Sequence, residues 1–162
     1  LQVLNSPENH HDLYFNPPQR DFKESDEALR IRIKEEGARL TYKGPKLDQT
    51  TKSRLEMTVK IDDPQQMEQI LSALGFTLSA QVRKRRSKYS YEGAILALDE
   101  VEGLGCFVEV EAEGEGDYEV QKQKVLSILS RLDLHESIRS SYLQLLDEKK
   151  KNDENEAKRR GL

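Results

Sequence analysis

Two segments of this chain alternate apolar residues with charges of a single sign, and the two signs are opposite. Ala28-Leu29-Arg30-Ile31-Arg32-Ile33-Lys34 interleaves apolar and basic residues, and Phe107-Val108-Glu109-Val110-Glu111 interleaves apolar and acidic ones. A strand has a side-chain period of two, so each segment presents one apolar face and one fully charged face. A solvated strand face ordinarily mixes signs with neutral polar groups. A face of cations alone, matched elsewhere by a face of carboxylates alone, points to a polyanion and its metal ions.

The 162 residues are enough for one domain, with or without a tail. Only 35% are apolar against 35% charged, and Trp is absent, so the core is thin although the strand patterns are strong. A barrel or curved sheet with a polar interior reconciles the two, because its apolar residues then face outward beneath helices. A net charge of −4 argues against a general nucleic-acid binder. The single cysteine, Cys106, excludes an internal disulfide and suits a reducing cytoplasm. No apolar run approaches about 18–20 residues, so no membrane-spanning helix is expected. No leader pattern opens the sequence, although a start at Leu1 rather than Met leaves room for a lost beginning.

Periodicity predicts about seven antiparallel strands. Leu13-Tyr14-Phe15 is a short strand stopped by Pro17-Pro18, and residues 1–12 carry no clear period. Strands follow at about 28–34, 38–43 and 52–61, separated by Glu36-Gly37, by Gly44-Pro45 and by a polar loop at 46–51. Asp62-Asp63-Pro64 then starts a helix whose Met67, Ile70, Leu71 and Leu74 share a face, with Gly75 as its stop. A long strand at 77–91, a Glu92-Gly93 turn, a strand at 94–101, a Gly-rich turn and the acidic strand at 106–113 come next. Helices at about 117–131 and 136–149 close the chain, and the charged segment beyond has no apolar stripe. The expected domain is 1–146, with 147–162 as a charged tail.

The face opposite the apolar one gathers Arg30, Arg32, Lys34, Arg39, Lys43, Arg54, Lys84 and Arg86 against Glu56, Asp99, Glu109 and Glu111. Uncompensated buried cations cost several kcal/mol each, so such an interior must hold water and an anion. A nucleoside triphosphate, with about four negative charges on its phosphoryl oxygens, fits that excess. Glu109 and Glu111 project to one side about 6.5–7 Å apart. Hard oxygen donors at a triphosphate site point to Mg²⁺ or Mn²⁺. Taken singly, an Arg-x-Arg strand or a Glu-x-Glu strand is usually a solvated surface. Their co-occurrence in one antiparallel domain is what calls for a ligand. His10, His11 and His135 lack metal-ligand spacing, and Gly-rich phosphate loops and nucleophile motifs are absent.

An ordered series of segments resembles the CYTH family of class IV adenylyl cyclases and thiamine-triphosphatase-like enzymes, the triphosphate tunnel metalloenzymes. The series is Asp12-Leu13-Tyr14-Phe15, Arg20-Asp21-Phe22, Asp26-Glu27-Ala28-Leu29-Arg30-Ile31-Arg32, Leu40-Thr41-Tyr42-Lys43-Gly44-Pro45 and Thr51-Lys52-Ser53-Arg54-Leu55-Glu56. It continues with Lys84, Arg86 and Tyr89, then Leu98-Asp99-Glu100-Val101-Glu102-Gly103-Leu104-Gly105 and Phe107-Val108-Glu109-Val110-Glu111. The resemblance spans about residues 12–146 and is nearest to class IV adenylyl cyclase-like proteins. It implies an α+β fold, an eight-stranded antiparallel β-tunnel with flanking helices. By motif match, Arg30, Arg32, Lys43, Arg54, Lys84 and Arg86 would bind phosphates. Glu109, Glu111 and Glu56 would serve the metal, and Asp99 and Lys84 are the catalytic candidates. The family opens with a Glu-x-Glu-x-Lys strand whose two acids bind metal, and no such motif precedes Asp12. Thr58 stands where many relatives carry a further acid.

Three functions follow as expectations: cyclisation of ATP to cyclic AMP and pyrophosphate, hydrolysis of a nucleoside, thiamine or inorganic triphosphate, and nucleotide or polyphosphate binding without turnover. The expected partners are ATP or another triphosphate, with no nucleic acid and no membrane, in a cytoplasmic protein. The missing acidic strand leaves a sheet edge open, and assembly as a homodimer is one way to cover it.

Overall fold

The computed structural model describes residues 1–46, 54–114, 117–134, 136, 138 and 140–160. Most of the polar loop expected at 46–51, residues 52–53 of the third strand, part of the Gly-rich acidic loop and His135 lie outside the described residues.

Among the described residues there are eight strands and three helices: β1 (Gln2–Val3), β2 (Glu8–Asn16), β3 (Ala28–Lys34), β4 (Gly37–Lys46), β5 (Arg54–Ile61), α1 (Pro64–Ala73), β6 (Thr77–Tyr91), β7 (Ala94–Val101), β8 (Gly105–Ala112), α2 (Tyr118–Arg131) and α3 (Tyr142–Arg159). The strands form an antiparallel sheet in the order β5-β4-β3-β2-β6-β7-β8, and β1 pairs with β6 off that path. The fold is therefore α+β, with an eight-stranded antiparallel sheet. All seven strands expected from periodicity are present, and β1 is the addition. β1 carries no acidic side chain; it pairs Gln2 with Ser90 and Val3 with Tyr89.

The chain divides into two compact units, residues 9–83 and residues 1–8 with 84–162. In the first, the apolar face of the alternating strands meets α1. Leu13, Phe15, Ile31 and Leu71 are buried there, and Leu29, Ile33, Leu40, Ile61, Met67 and Phe76 pack around them. A fully enclosed side chain such as Ile31 contributes about 1.5–3 kcal/mol. Asp63 caps α1 by accepting from the Gln66 amide, and Pro64 takes the first turn, where its missing N–H costs nothing. β2 is longer than periodicity predicts. Its buried positions are His10, Asp12, Leu13 and Phe15, so polar side chains fill one face and hide the period-two signal.

In the second unit, Ala94, Leu96 and Ile128 form the core, with Tyr89, Tyr91 and Val110 packed against it. The β6–β7 hairpin turns on Glu92 and Gly93, at φ 51° and 72°. Two consecutive left-handed residues match the type I′ turn, whose twist suits a two-residue hairpin. Asp117 caps α2 through the Glu119 and Val120 amides. The last helix differs from expectation, running from Tyr142 to Arg159 instead of 136–149. Its start is set by a capping box of Ser141 and Gln144. Its charged end is carried by i,i+4 pairs, Lys151–Asp147 at 3.6 Å and Arg160–Glu156 at 3.3 Å, rather than by an apolar stripe.

Candidate functional site

In the first unit, strand register lines up the charged side chains in rows. Asp12 lies opposite Arg32, Arg32 opposite Arg39, and Arg39 opposite Lys60. The row thus holds one carboxylate followed by three cations on adjacent strands, about 5 Å apart. The next row is Tyr14, Arg30, Thr41 and Thr58, and the two threonine hydroxyls are 2.9 Å apart. Like charges directly opposite destabilise a sheet, so the Arg32–Arg39–Lys60 run calls for an anion. Arg30, Arg32, Lys34, Glu36, Arg39, Thr41, Glu56 and Thr58 line a cavity of about 320 Å³ on this face.

Asp12, which was not among the sequence-derived site residues, organises this face. It is 2% exposed and accepts two hydrogen bonds from Arg32, Nε–Oδ1 at 2.7 Å and Nη2–Oδ2 at 2.6 Å. Arg30 Nη1 lies 4.0 Å from the same carboxylate, and the Arg30 Nε is buried without a hydrogen-bond partner. A buried guanidinium N–H lacking an acceptor is what an oxyanion would satisfy. Burial foremost, with the Asp12 charge adding to it, pushes the Tyr14 phenol above its usual range against the lowering effect of Arg30. Lys43 Nζ stands 3.4 Å from Glu56, its register partner. Arg54 reaches Asp26 at 3.4 Å, and the Asp26 carboxyl also accepts from the Lys46 amide at 3.0 Å. The Lys46 amide bond leads the causes that hold Asp26 below the ordinary carboxylate range.

The second unit holds its own cluster. Asp99 is 1% exposed and accepts from Lys84 Nζ at 2.9 Å, from Arg86 Nε at 2.6 Å and Nη2 at 2.5 Å, and from the Tyr142 hydroxyl at 2.8 Å. Arg86 Nη2 also donates to Glu109 at 2.6 Å. Burial works against the Asp99 charge, yet the Arg86 and Lys84 hydrogen bonds prevail and hold its carboxyl at about 2. Burial and the bond to Asp99 raise the Tyr142 phenol far above its usual range. The Lys84 ammonium sits 5.0 Å from the Tyr142 ring centroid, and Phe107 packs on the same ring at 5.0 Å. Glu109 and Glu111 stand exposed on β8, opposite Ala97 and Ile95.

The sequence-derived residues therefore fall into two sets, Arg30, Arg32, Lys43, Arg54 and Glu56 in one unit and Lys84, Arg86, Asp99, Glu109 and Glu111 in the other. Asp12 and Tyr142 were missed as site residues. The alternation His10, Asp12, Tyr14 was a usable signal for the first; nothing local marks a tyrosine at a helix start as a partner for Asp99.

The donor chemistry suits a hard divalent cation. Glu109 and Glu111 are two carboxylates on one face of β8, and the Glu56 side chain is 46% exposed. Among the described residues no three His, Cys, Asp or Glu side chains gather into a cage of their own. Mg²⁺ and Mn²⁺ need none, since they are commonly held by one or two carboxylates together with substrate phosphates.

The CYTH domain family matches residues 2–142. A Methanocaldococcus jannaschii protein named putative adenylate cyclase MJ0240 is 44% identical over 138 residues, which are 83% of this chain and 79% of that one. The solved structure of the PH1819 protein from Pyrococcus horikoshii is 42% identical, with TM-score 0.78, covering 91% of this chain and 88% of that one. A Hippeastrum protein named putative adenylyl cyclase HpAC1 and described as revealing a dominant triphosphatase activity is alike in fold, at TM-score 0.65 and 24% identity, covering 89% of this chain and 83% of that one.

Proposed function

The chain belongs to the CYTH family, and from that premise we propose that it is a metal-dependent enzyme acting on a triphosphate, of the class IV adenylyl cyclase type. The observation that carries this reading is the row of Arg32, Arg39 and Lys60 on adjacent strands beside the unpartnered Arg30 Nε. The Arg30 Nε lacks an acceptor, which an oxyanion would supply.

In the proposed roles, Arg30, Arg32, Lys43, Arg54, Lys84 and Arg86 bind the phosphates. The arginines offer planar forks and the lysines point charges. Asp12 holds the Arg32 guanidinium at one angle, so the cradle is set before the substrate arrives. Glu109, Glu111 and Glu56 would hold Mg²⁺ or Mn²⁺. When bound, that ion supplies neutralisation of charge developing on the leaving pyrophosphate. Lys84 and Asp99 serve the reacting centre as a pair. With its carboxyl near 2, Asp99 is a weak base at neutral pH. Its part is to hold Lys84 and Arg86 charged and aimed.

In the cyclase reaction the ribose 3′-hydroxyl attacks the α-phosphorus, pyrophosphate leaves, and the hydroxyl proton passes to solvent. The second reading is hydrolysis, with water attacking the terminal phosphorus. It is kept because the Hippeastrum protein, alike in fold, is described by that activity. Binding without turnover is the third, motivated by a β1 that carries no acid. A reducing cytoplasm suits the exposed Cys106.

Incubation with ATP and Mg²⁺ or Mn²⁺ separates the three. Cyclic AMP with pyrophosphate supports the cyclase, ADP with phosphate supports hydrolysis, and saturable binding without product supports the last.

A further inference from the structure

Arg86 spends most of its hydrogen-bonding capacity inside the protein. Its Nε donates to Asp99 Oδ1 at 2.6 Å, and its Nη2 donates both to Asp99 Oδ2 at 2.5 Å and to Glu109 Oε2 at 2.6 Å. Of the five guanidinium N–H groups, only the pair on Nη1 is left over. The contact with Glu109 is a long reach. Arg86 lies opposite Asp99 in the β6–β7 ladder, whereas Glu109 lies opposite Ala97 in the β7–β8 ladder. Ala97 is small, and its methyl leaves the guanidinium room to cross β7. All four residues belong to the unit of residues 1–8 and 84–162.

An arginine takes a phosphate best through two parallel N–H bonds. They can come from the Nε–Nη2 side of the guanidinium or from its Nη1–Nη2 end. Asp99 fills the side. The end requires the Nη2 hydrogen that Glu109 accepts. Glu109 is in turn one of the carboxylates proposed to hold Mg²⁺ or Mn²⁺, and while it is bonded to Arg86 it shares its charge with a cation already.

We propose that Arg86 is an exchange residue that couples the two ligands: it holds Glu109 in the ligand-free protein, and that contact is traded for metal on Glu109 and phosphate on Arg86. The coupling rests on the reading of a metal-dependent triphosphate site and adds a link between its two halves. Metal on Glu109 frees the Nη2 hydrogen for phosphate, and phosphate on Arg86 frees Glu109 for metal. By linkage each ligand strengthens the other by the same factor. Either ligand alone must first break the ion pair, so each alone binds more weakly than its own contacts would allow. Glu111 provides the contrast. It stands on the same face of β8, carries the same charge and has no ion-pair partner among the described residues.

Mn²⁺ alone, titrated into the ligand-free protein and followed by electron paramagnetic resonance of the free ion, reads the first half of the exchange. Arg86→Lys keeps the charge but lacks the fork that holds both carboxylates. It should bind Mn²⁺ about two- to fivefold more tightly than wild type, the worth of an ion pair whose carboxylate side chain is 52% exposed. Inorganic triphosphate titrated in the presence of a chelator reads the second half. Glu109→Gln should bind it about two- to fivefold more tightly than wild type. Glu111→Gln makes an equal change of charge and should shift it less. Equal shifts from the two glutamine variants would mean a plain charge effect and overturn the coupling. So would a Mn²⁺ affinity that Arg86→Lys leaves unchanged or weakens. Wild type that binds no Mn²⁺ even with triphosphate present would overturn the metal reading itself, and the coupling with it. Circular dichroism confirms that each variant is folded before it is titrated.

Discussion

Arg32 and Asp12, direct neighbours across the β2–β3 ladder, are joined by two parallel hydrogen bonds of 2.7 and 2.6 Å. Arg32's other cross-strand neighbour is Arg39. One carboxylate therefore stabilises the near end of a cationic row that continues through Arg39 to Lys60. The pairing fixes Arg32 in place without neutralising the row.

Asp12→Asn removes the acceptor charge and leaves two guanidinium groups facing each other across a buried amide. Breaking one side of a buried pair costs about 3–5 kcal/mol, and since the Arg32 side chain is 21% exposed, the loss should be nearer 2–3 kcal/mol. Urea denaturation measures it. Triphosphate affinity should fall as well, because Arg32 loses its fixed angle.

Arg30→Ala and Arg32→Ala should each weaken binding of a non-hydrolysable triphosphate about 10- to 100-fold, the worth of one or two hydrogen bonds to a charged group. Arg30→Lys should recover little of it, since an ammonium does not reproduce the fork. Titration calorimetry at fixed ionic strength reads both.

Glu109→Ala and Glu111→Ala should abolish metal-dependent turnover at ordinary Mg²⁺ or Mn²⁺ and leave metal-free triphosphate binding within a few-fold of wild type. Raising the metal concentration should restore part of the rate. Unchanged turnover and metal dependence in Glu111→Ala would sink the metal assignment.

The pH dependence of stability follows from Asp99. Its carboxyl is lowered from 3.8 to about 2 on folding, so the folded state favours the charged form. That stabilisation, about 2 kcal/mol, is present above about pH 4 and is lost as pH falls through about 2. Acid titration of wild type should show the loss, and Asp99→Asn should lack that limb while being less stable at neutral pH.

Tyr142→Phe keeps the ring against Phe107 and removes one donor from Asp99. The expected cost is about 1.5–3 kcal/mol, read from thermal or urea unfolding. If stability were unchanged, Tyr142 would be no partner of that carboxylate in solution.

The strands were legible wherever apolar residues kept a period of two against charges, as in β3, β4 and β8, because such a pattern has one low-energy orientation at a sheet surface. β2 was legible only at Leu13 and Phe15. Its other face carries His10 and Asp12, both buried, and the partners of Asp12 come from β3 across the ladder. The start of α3 at Ser141 is marked in the sequence by its capping box with Gln144, while Ile138 upstream is apolar yet 54% exposed and lies outside the helix.

For the site, residue types and alternation alone placed Arg30 with Arg32 and Glu109 with Glu111 on charged faces, because two residues apart on a strand share a side whatever the partner strands are. Register decided the rest. Pairing Arg32 with Asp12 and Arg39, and gathering Lys84, Arg86 and Tyr142 on Asp99, depends on which strand or helix lies beside which. Those neighbours come from distant parts of the chain, and only the folded backbone brings them within hydrogen-bonding reach.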